Sequence, residues 1–568
     1  MLKKIASLLI LPGLAAASAA ARQDPKTVEI RVHADRTTGS WKPVWAYVGH
    51  DEPNYTYSPE GRALLSELAA LSHRAIHDRV HNLLTTGDGT PALKWGSTNV
   101  YTEDAHGHPV YDWTILDRIF DAYKQLGVTP YVEIGFMPEA LSSRPQPYRH
   151  DWPRGPLFTG WTFPPNDYNK WSELIYEWVR HEVSRYGREE VASWDWEVWN
   201  EPDIGYWHGT REEYFELYDY TAAAVKRALP EGRIGGPATT GPAGANAAEF
   251  LRTFLAHCVN GKNYATGGTG APLDFISFHA KGKTSVADGH AQMDIAHSLA
   301  DISAGFAIVT SFPALRRLPI VLSESDPEGC AACASSVHPE NEYRNTSQYA
   351  SYEAELLDGT LALSKRYNVN LQGSDTWAFT FPGQPYFYGY RSLATHEIDK
   401  PILNAFRMFG LMQSQRIAAE SSAEINLDDL LKNSARTRSD IRVIATRGKS
   451  ELSVLVWNYE DDPVAAQPEQ VSVQVDGLPP SLGGVRVAHF RIDDGHSNAF
   501  SAWKAMGTPQ NPSADQIAKL KAAGQLQLLA APALVKVTAG HANLSFVLPR
   551  EAVSLIRLDW NAPRPADD

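Results

Sequence analysis

The sequence predicts an α/β fold, a (β/α)8 TIM barrel, with a C-terminal β-sandwich that carries a helical insertion. Three observations carry this expectation. Eight apolar, β-branched runs, each followed by a helical pattern or a long loop, fill roughly 370 residues. After Met412 the texture changes to short strand-like runs separated by Gly, Pro, Asn and Asp. The turn after the first run, Gly49-His50-Asp51, is not the glycine-rich phosphate turn that opens a doubly wound sheet.

Taken in order, residues 1–21 read as a signal peptide. Lys3 and Lys4 precede the apolar stretch Ile5–Ala17, and Ala19-Ala20-Ala21 fits a small-residue cleavage site. Ser7, Pro12 and Gly13 interrupt the stretch, which is too short to cross about 30 Å of hydrocarbon. Export to a periplasm or the medium is therefore expected, with no membrane association. Val28–His33, within residues 26–40, alternates like a strand and is expected to join the later sandwich.

The barrel is expected over residues 41–412. Its strands are predicted at Val44–Val48, Ala75–Leu84, Thr129–Phe136, Ser193–Asn200, Arg233–Thr239, Leu273–His279, Leu318–Glu324 and Asn368–Phe379. Ser58-Pro59-Glu60 opens the first helix with a cap and an N1 proline. Trp113–Leu126, Tyr168–Tyr186 and Tyr214–Leu229 repeat apolar residues at helical spacing.

The sandwich is expected over residues 413–568. Its strands are placed at Ile441–Thr446, Leu452–Trp457, Val471–Val475, Val485–Ile492, Val535–Val537, Leu544–Leu548 and Val553–Leu558. Phe500–Gly507 and Ser513–Ala523 read as inserted helices, a projection available to a second subunit.

Composition narrows the function classes. The chain has 568 residues, 43% hydrophobic and 21% charged, which excludes a disordered polymer. A formal charge of −14 argues against nucleic acid as a partner. The 16 Trp, 24 Tyr and 19 Phe supply flat apolar surfaces suited to ligands, although most aromatics are core. Cys330 and Cys333 form a C-A-A-C that reads as a local disulfide in an oxidising compartment, and Cys258 is left over. No ligand cluster demands a metal, and no cofactor is expected.

Barrel enzymes place their chemistry at the C-terminal ends of the strands. There the fourth run ends Trp196-Glu197-Val198-Trp199-Asn200-Glu201-Pro202, and the seventh ends Ser323-Glu324-Ser325. A lone strand-end Glu is usually a surface residue; two on one barrel suit glycoside hydrolysis. One carboxyl protonates the leaving oxygen, and the other, ionised, faces the sugar carbon. A gap of about 5 Å gives retention and one of about 6.5–9.5 Å gives inversion.

Further stretches make the likeness specific: Trp45-Ala46-Tyr47, Glu133-Ile134-Gly135-Phe136-Met137-Pro138, Ser277-Phe278-His279-Ala280-Lys281-Gly282, and His496-Ser497-Asn498 through Trp503. With the Trp199-Asn200-Glu201-Pro202 and Ser323-Glu324 motifs, they resemble glycoside hydrolase family 39, the family of β-xylosidases and α-L-iduronidases. The resemblance covers nearly all of the expected mature chain.

It implies a double displacement with Glu201 as acid/base and Glu324 as nucleophile. Asn200 matches the residue that bonds the sugar 2-hydroxyl, and His81 and His279 match histidines at the site. Read without the resemblance, Asn200 bonds local backbone and His279 is a satisfied core histidine.

Trp377 and Phe379 suit either barrel filling or stacking on a sugar. His50, Asp51 and Glu52 are placed beside the same pocket, and Glu133 has no assigned role. In iduronidases the lysine matching Lys281 helps bind the sugar carboxylate; otherwise Lys281 pairs with a nearby acid. Arg391 either assists a carboxylate or is structural.

The expected activity is that of an exo-acting β-D-xylosidase on xylo-oligosaccharides. An α-L-arabinosidase or a uronide-cleaving enzyme is the alternative. A catalytically inactive carbohydrate-binding barrel is the alternative of another class, disfavoured because both carboxylates are present.

Overall fold

The computed structural model describes residues 27–71, 75–436, 438–462 and 466–561. The expected signal peptide lies outside the described residues. Eight parallel strands close a barrel: Tyr47–His50, His77–Val80, Thr129–Ile134, Asp195–Val198, Arg233–Thr239, Phe275–Lys281, Pro319–Asp326 and Asn370–Thr376. Each is followed by a helix, namely Pro59–Ala69, Thr114–Leu126, Tyr168–Tyr186, Arg211–Ala228, Ala245–Asn260, Ile295–Thr310, Ser347–Tyr367 and Pro401–Gly410.

Local chemistry sets these boundaries. Ser58 Oγ accepts from the Gly61 amide at 3.0 Å and Pro59 fills N1, so the first helix starts there. Thr210 and Glu213 form a reciprocal capping box. Gly127 at φ 73° ends the second helix in the left-handed region, and Asn368 at φ 53° ends the seventh.

Several strands are shorter than the apolar runs that foretell them. Val44–Ala46 is a turn, with the Ala46 amide donating to the Pro43 carbonyl at 2.9 Å, so the first strand begins at Tyr47. The second stops before Asn82 at φ 64°, and the fourth before Trp199 at φ 72°.

Ten of the remaining strands form one mixed sheet, and the other six make three two-stranded hairpins. Val28–Ser40 lies inside it, antiparallel to Gln415–Ser421 and parallel to Glu469–Asp476. The path continues through Asp440–Arg447, Glu451–Tyr459, Val553–Asp559 and Gly484–Ile492, and the sheet folds over until Ala533–Lys536 meets Ala542–Leu548. Ile30, Val454, Val473, Val485 and Ile556 fill the space enclosed. Gln415–Ser421 escapes sequence reading because Ile417 is its only strongly apolar β-former.

The barrel helix Ser347–Tyr367 lies against this sheet. Trp457 Nε1 donates to Glu355 at 2.8 Å, and Arg442 pairs with Glu355 and Asp358 at 3.0 Å each. The inserted helices, Ala499–Ala505 and Ala514–Gly524, do not simply project. Phe500, Trp503 and Leu520 close on Phe387 and Ile398 of the chain's own barrel loop. Cys330 and Cys333 are disulfide-bonded in the loop after strand seven, and Cys258 is a buried free thiol. Among the described residues no helix is long and apolar enough to cross a membrane.

Ile30 is fully buried between Ser421 and Val473. Ile30→Ala is expected to lower unfolding stability by about 2–5 kcal/mol. Arg31→Ala, on the exposed side of the same strand, should change it little; equal urea midpoints for the two variants would refute this packing.

Candidate active site

Barrel registry brings the two sequence-predicted carboxylates together. In strand seven the pairing to strand six slips at Ser323, so Leu322 pairs with Phe278 but Glu324 pairs with His279. The extra residue re-aims the strand end, as bulges beside active sites do. A matching slip at Ala238, φ 52°, shifts strand five.

On strand four, Trp199 at φ 72° and Glu201 at φ 43° flank Asn200, conformations that cost about 1–3 kcal/mol each for residues with a Cβ. The surroundings enforce them. The Trp199 amide bonds the Ile134 carbonyl at 3.1 Å, its indole bonds the Tyr206 carbonyl at 2.9 Å, and the Glu201 amide bonds Ala238 at 2.9 Å. The two left-handed residues break strand alternation, so Asn200 and Glu201 both face the barrel mouth.

Carboxylate oxygens of Glu201 and Glu324 and a nitrogen of His279 lie within 4.8 Å of one another. His279 Nδ1 is 2.8 Å from Glu201 and 3.8 Å from Glu324. The surroundings of the two acids differ. Glu324 receives Lys281 Nζ at 2.6 Å, Arg79 Nη1 at 3.1 Å and His81 Nε2 at 3.5 Å. Burial alone would raise its pKa, but Lys281, His279, His81 and Arg79 together hold it well below the usual carboxylate range. Among the described residues the Glu201 carboxylate pairs with His279 alone, and it is the more open of the two acids. The three groups form a possible cation cradle in outline, but Lys281 and Arg79 already supply positive charge to it.

Sequence reading missed Arg79, the centre of this site. Its guanidinium bonds Glu197 at 2.6 Å, Glu133 at 3.0 Å, Glu324 at 3.1 Å and Asn200 Oδ1 at 3.1 Å, and lies over the Trp377 ring. The available signal was its spacing: Arg79 is two residues before His81, which follows directly on the end of the strand, so the two share a face. Glu133, unassigned from sequence, bridges Arg79 and His81. Asp326 was also missed. It sits two residues beyond Glu324, holds Lys281 at 2.6 Å and accepts the Trp377 amide at 2.8 Å.

The other expected residues divide. His81 reaches Asp51, Glu133 and Glu324 at 3.0, 3.0 and 3.5 Å; burial opposes its charge, but Glu133 and the bonded acids raise its pKa well above normal. Trp377 lies beneath, its ring 4.3 Å from that of His81. Lys281 bridges Glu324 and Asp326.

Asp51 and Glu52 bind Lys94, through its ammonium at 3.2 Å and its backbone amide at 2.7 Å respectively. His50 does not join them. It turns to Asp78 at 3.2 Å and Thr56 at 3.3 Å and stacks on Phe379. Arg391 is fully buried, bonding the Trp377 carbonyl at 2.9 Å and Glu328 at 2.8 Å, and so braces strand eight.

The model of glycosyl hydrolases family 39 matches residues 28–535. The chain is 29% identical to a β-xylosidase of Geobacillus stearothermophilus over 477 residues, 80% of this chain and 82% of that protein. It is 24% identical to the α-L-iduronidase of Homo sapiens over 563 residues, 92% of this chain and 76% of that protein. The crystal structure of a monomeric β-xylosidase from Caulobacter crescentus superposes with a TM-score of 0.73 at 23% identity, covering 94% of this chain and 99% of that one. With a closed barrel, two facing carboxylates and a family match across most of its length, the chain belongs to glycosyl hydrolases family 39 and is a glycoside hydrolase.

Proposed function

We propose that the chain is a retaining, exo-acting β-D-xylosidase that works by double displacement on xylo-oligosaccharides outside the cytoplasm. The observation that carries the mechanism is the 4.8 Å limit between the Glu201, His279 and Glu324 polar atoms. That is too close for the water an inverting site must hold between its carboxylates.

Glu324, kept ionised by its cations, attacks the anomeric carbon. Glu201 gives its proton to the glycosidic oxygen, and the alcohol departs. Water then attacks the glycosyl ester, Glu201 takes the water's proton, and Glu324 is released as carboxylate. Arg79 occupies Asn200 Oδ1 at 3.1 Å, which leaves the amide N–H for the sugar 2-hydroxyl.

A neutral glycone is favoured by Lys281. Its ammonium is held at 2.6 Å by Glu324 on one side and at 2.6 Å by Asp326 on the other. A uronate at that position would approach a lysine whose charge is already matched by two carboxylates, so the pocket offers it no free cation. The similarity to β-xylosidases at 29% identity supports the same choice.

Purified mature protein should release aryl alcohol from an aryl β-D-xyloside, and Glu324→Gly should remove almost all of that turnover while the fold persists. Faster release from an aryl α-L-iduronide or α-L-arabinoside than from the xyloside would replace the assignment. Glu201→Ala should slow substrates with poor leaving groups far more than activated ones; equal slowing would remove Glu201 from the acid role. Lys281→Met takes a cation from Glu324 and so raises its pKa. Since Glu324 must be ionised, the acid limb of kcat/KM should move to higher pH. An unmoved limb would show that the limb does not report Glu324.

A further inference from the structure

The N-terminal face of the barrel, where the strands begin, lies opposite the carboxylates and has no part in the reaction. It carries two hollows of about 340 and 370 Å³ that meet at Asn370. Lys42, Tyr47 and His77 line the first; Arg316, Arg317 and Asn368 line the second.

Lys42, Arg316 and Arg317 are exposed, and among the described residues none of the three has an ion-pair partner. Their neighbours on this face behave differently. Arg233 pairs with Asp195 at 3.1 Å, Lys226 with Asp274 at 2.9 Å and Arg366 with Asp428 at 2.8 Å. On a chain with a formal charge of −14, three cations along one groove give it a local positive charge.

The groove floor adds a second observation. His77 stacks on Tyr47 with ring centroids 4.3 Å apart, and its Nδ1 is buried without a hydrogen-bond partner. Burial and then Arg233 push the His77 pKa down to about 4, so the ring is neutral and the groove's positive charge comes from its rim alone.

We infer that this groove binds an acidic saccharide, with a carboxylate or sulfate group on the Arg316 and Arg317 guanidinium groups and sugar hydroxyls on the Asn368 and Asn370 amides. Planar guanidinium forks match such anions through paired N–H bonds, and an amide donates and accepts as a hydroxyl does. A nucleic acid is disfavoured: its dense phosphate charge needs a longer basic track and meets repulsion from the rest of the chain. A ligand held here leaves the catalytic mouth free, so the groove tethers the enzyme to an acidic polysaccharide and raises its local concentration at nearby substrate.

The test is affinity electrophoresis of the full mature chain in gels containing polygalacturonate or heparin, with neutral xylan and single-stranded DNA as comparison polymers. Retardation by an acidic polysaccharide is expected, falling with added salt. In Arg316→Gln/Arg317→Gln the apparent Kd should rise about tenfold or more. The thermal midpoint and aryl-glycoside turnover of that variant should match wild type, and the binding readout stands whatever the glycone proves to be. The proposal is overturned by no retardation, by equal retardation of wild type and variant, by equal retardation in neutral xylan, or by retardation in DNA alone.

Discussion

One guanidinium holds the interior of this barrel together. Arg79 rises from strand two and touches Glu133 on strand three, Glu197 and Asn200 on or beside strand four, Glu324 on strand seven and the Trp377 ring after strand eight. Barrels of this class are commonly filled by layers of branched apolar side chains. Here the layer beneath the mouth is ionic, and Glu133, Glu197 and Glu324 share the one Arg79 cation. Breaking such an arrangement from one side leaves uncompensated charge in the interior, which costs about 3–5 kcal/mol for an ordinary buried pair. His81 and Lys281 extend the same scheme upward, and burial, with the charges of Asp326, Glu324 and Asp78 nearby, raises the Asp375 pKa well above normal.

That interior gives the two mouth carboxylates different surroundings. Glu324 is met by Lys281, Arg79 and His81, which favour its ionised form, whereas Glu201 pairs with His279. Asp326 contributes from behind by fixing both Lys281 and the backbone of Trp377, so the cation and the floor of the pocket share one anchor.

Much of this was legible in the sequence because parallel strands covered on both faces are written as continuous apolar runs. All eight barrel strands fall within or beside such runs, and Glu201 and Glu324 stood out as carboxylates that packing does not explain. What escaped depends on registry and direction, which composition does not encode. The slip at Ser323 that sets Glu324 opposite His279 leaves no mark in the residues 320–325. His50 follows an apolar strand as a pocket residue would, yet turns to Asp78 and Thr56. Arg79 looked like one more strand residue because its hydrogen-bonded partners lie up to 245 positions away. Gln415–Ser421 carries little β-propensity of its own and is ordered by the strands on either side.

The position of Val28–Ser40 reaches beyond static architecture. Its antiparallel neighbour is Gln415–Ser421, and the Glu29 amide meets Ser422 Oγ across 393 positions of chain. The catalytic barrel is therefore one long excursion between two adjacent strands of another sheet. During synthesis the first strand emerges long before either partner exists, and at 5–20 residues per second the wait is roughly 20–80 s. Throughout that interval Ile30 and Val32 belong to an unpaired edge, the kind of surface that recruits foreign strands. Pairing of the first strand thus waits on Gln415–Ser421 and Glu469–Asp476, and the barrel between them sets the length of the delay.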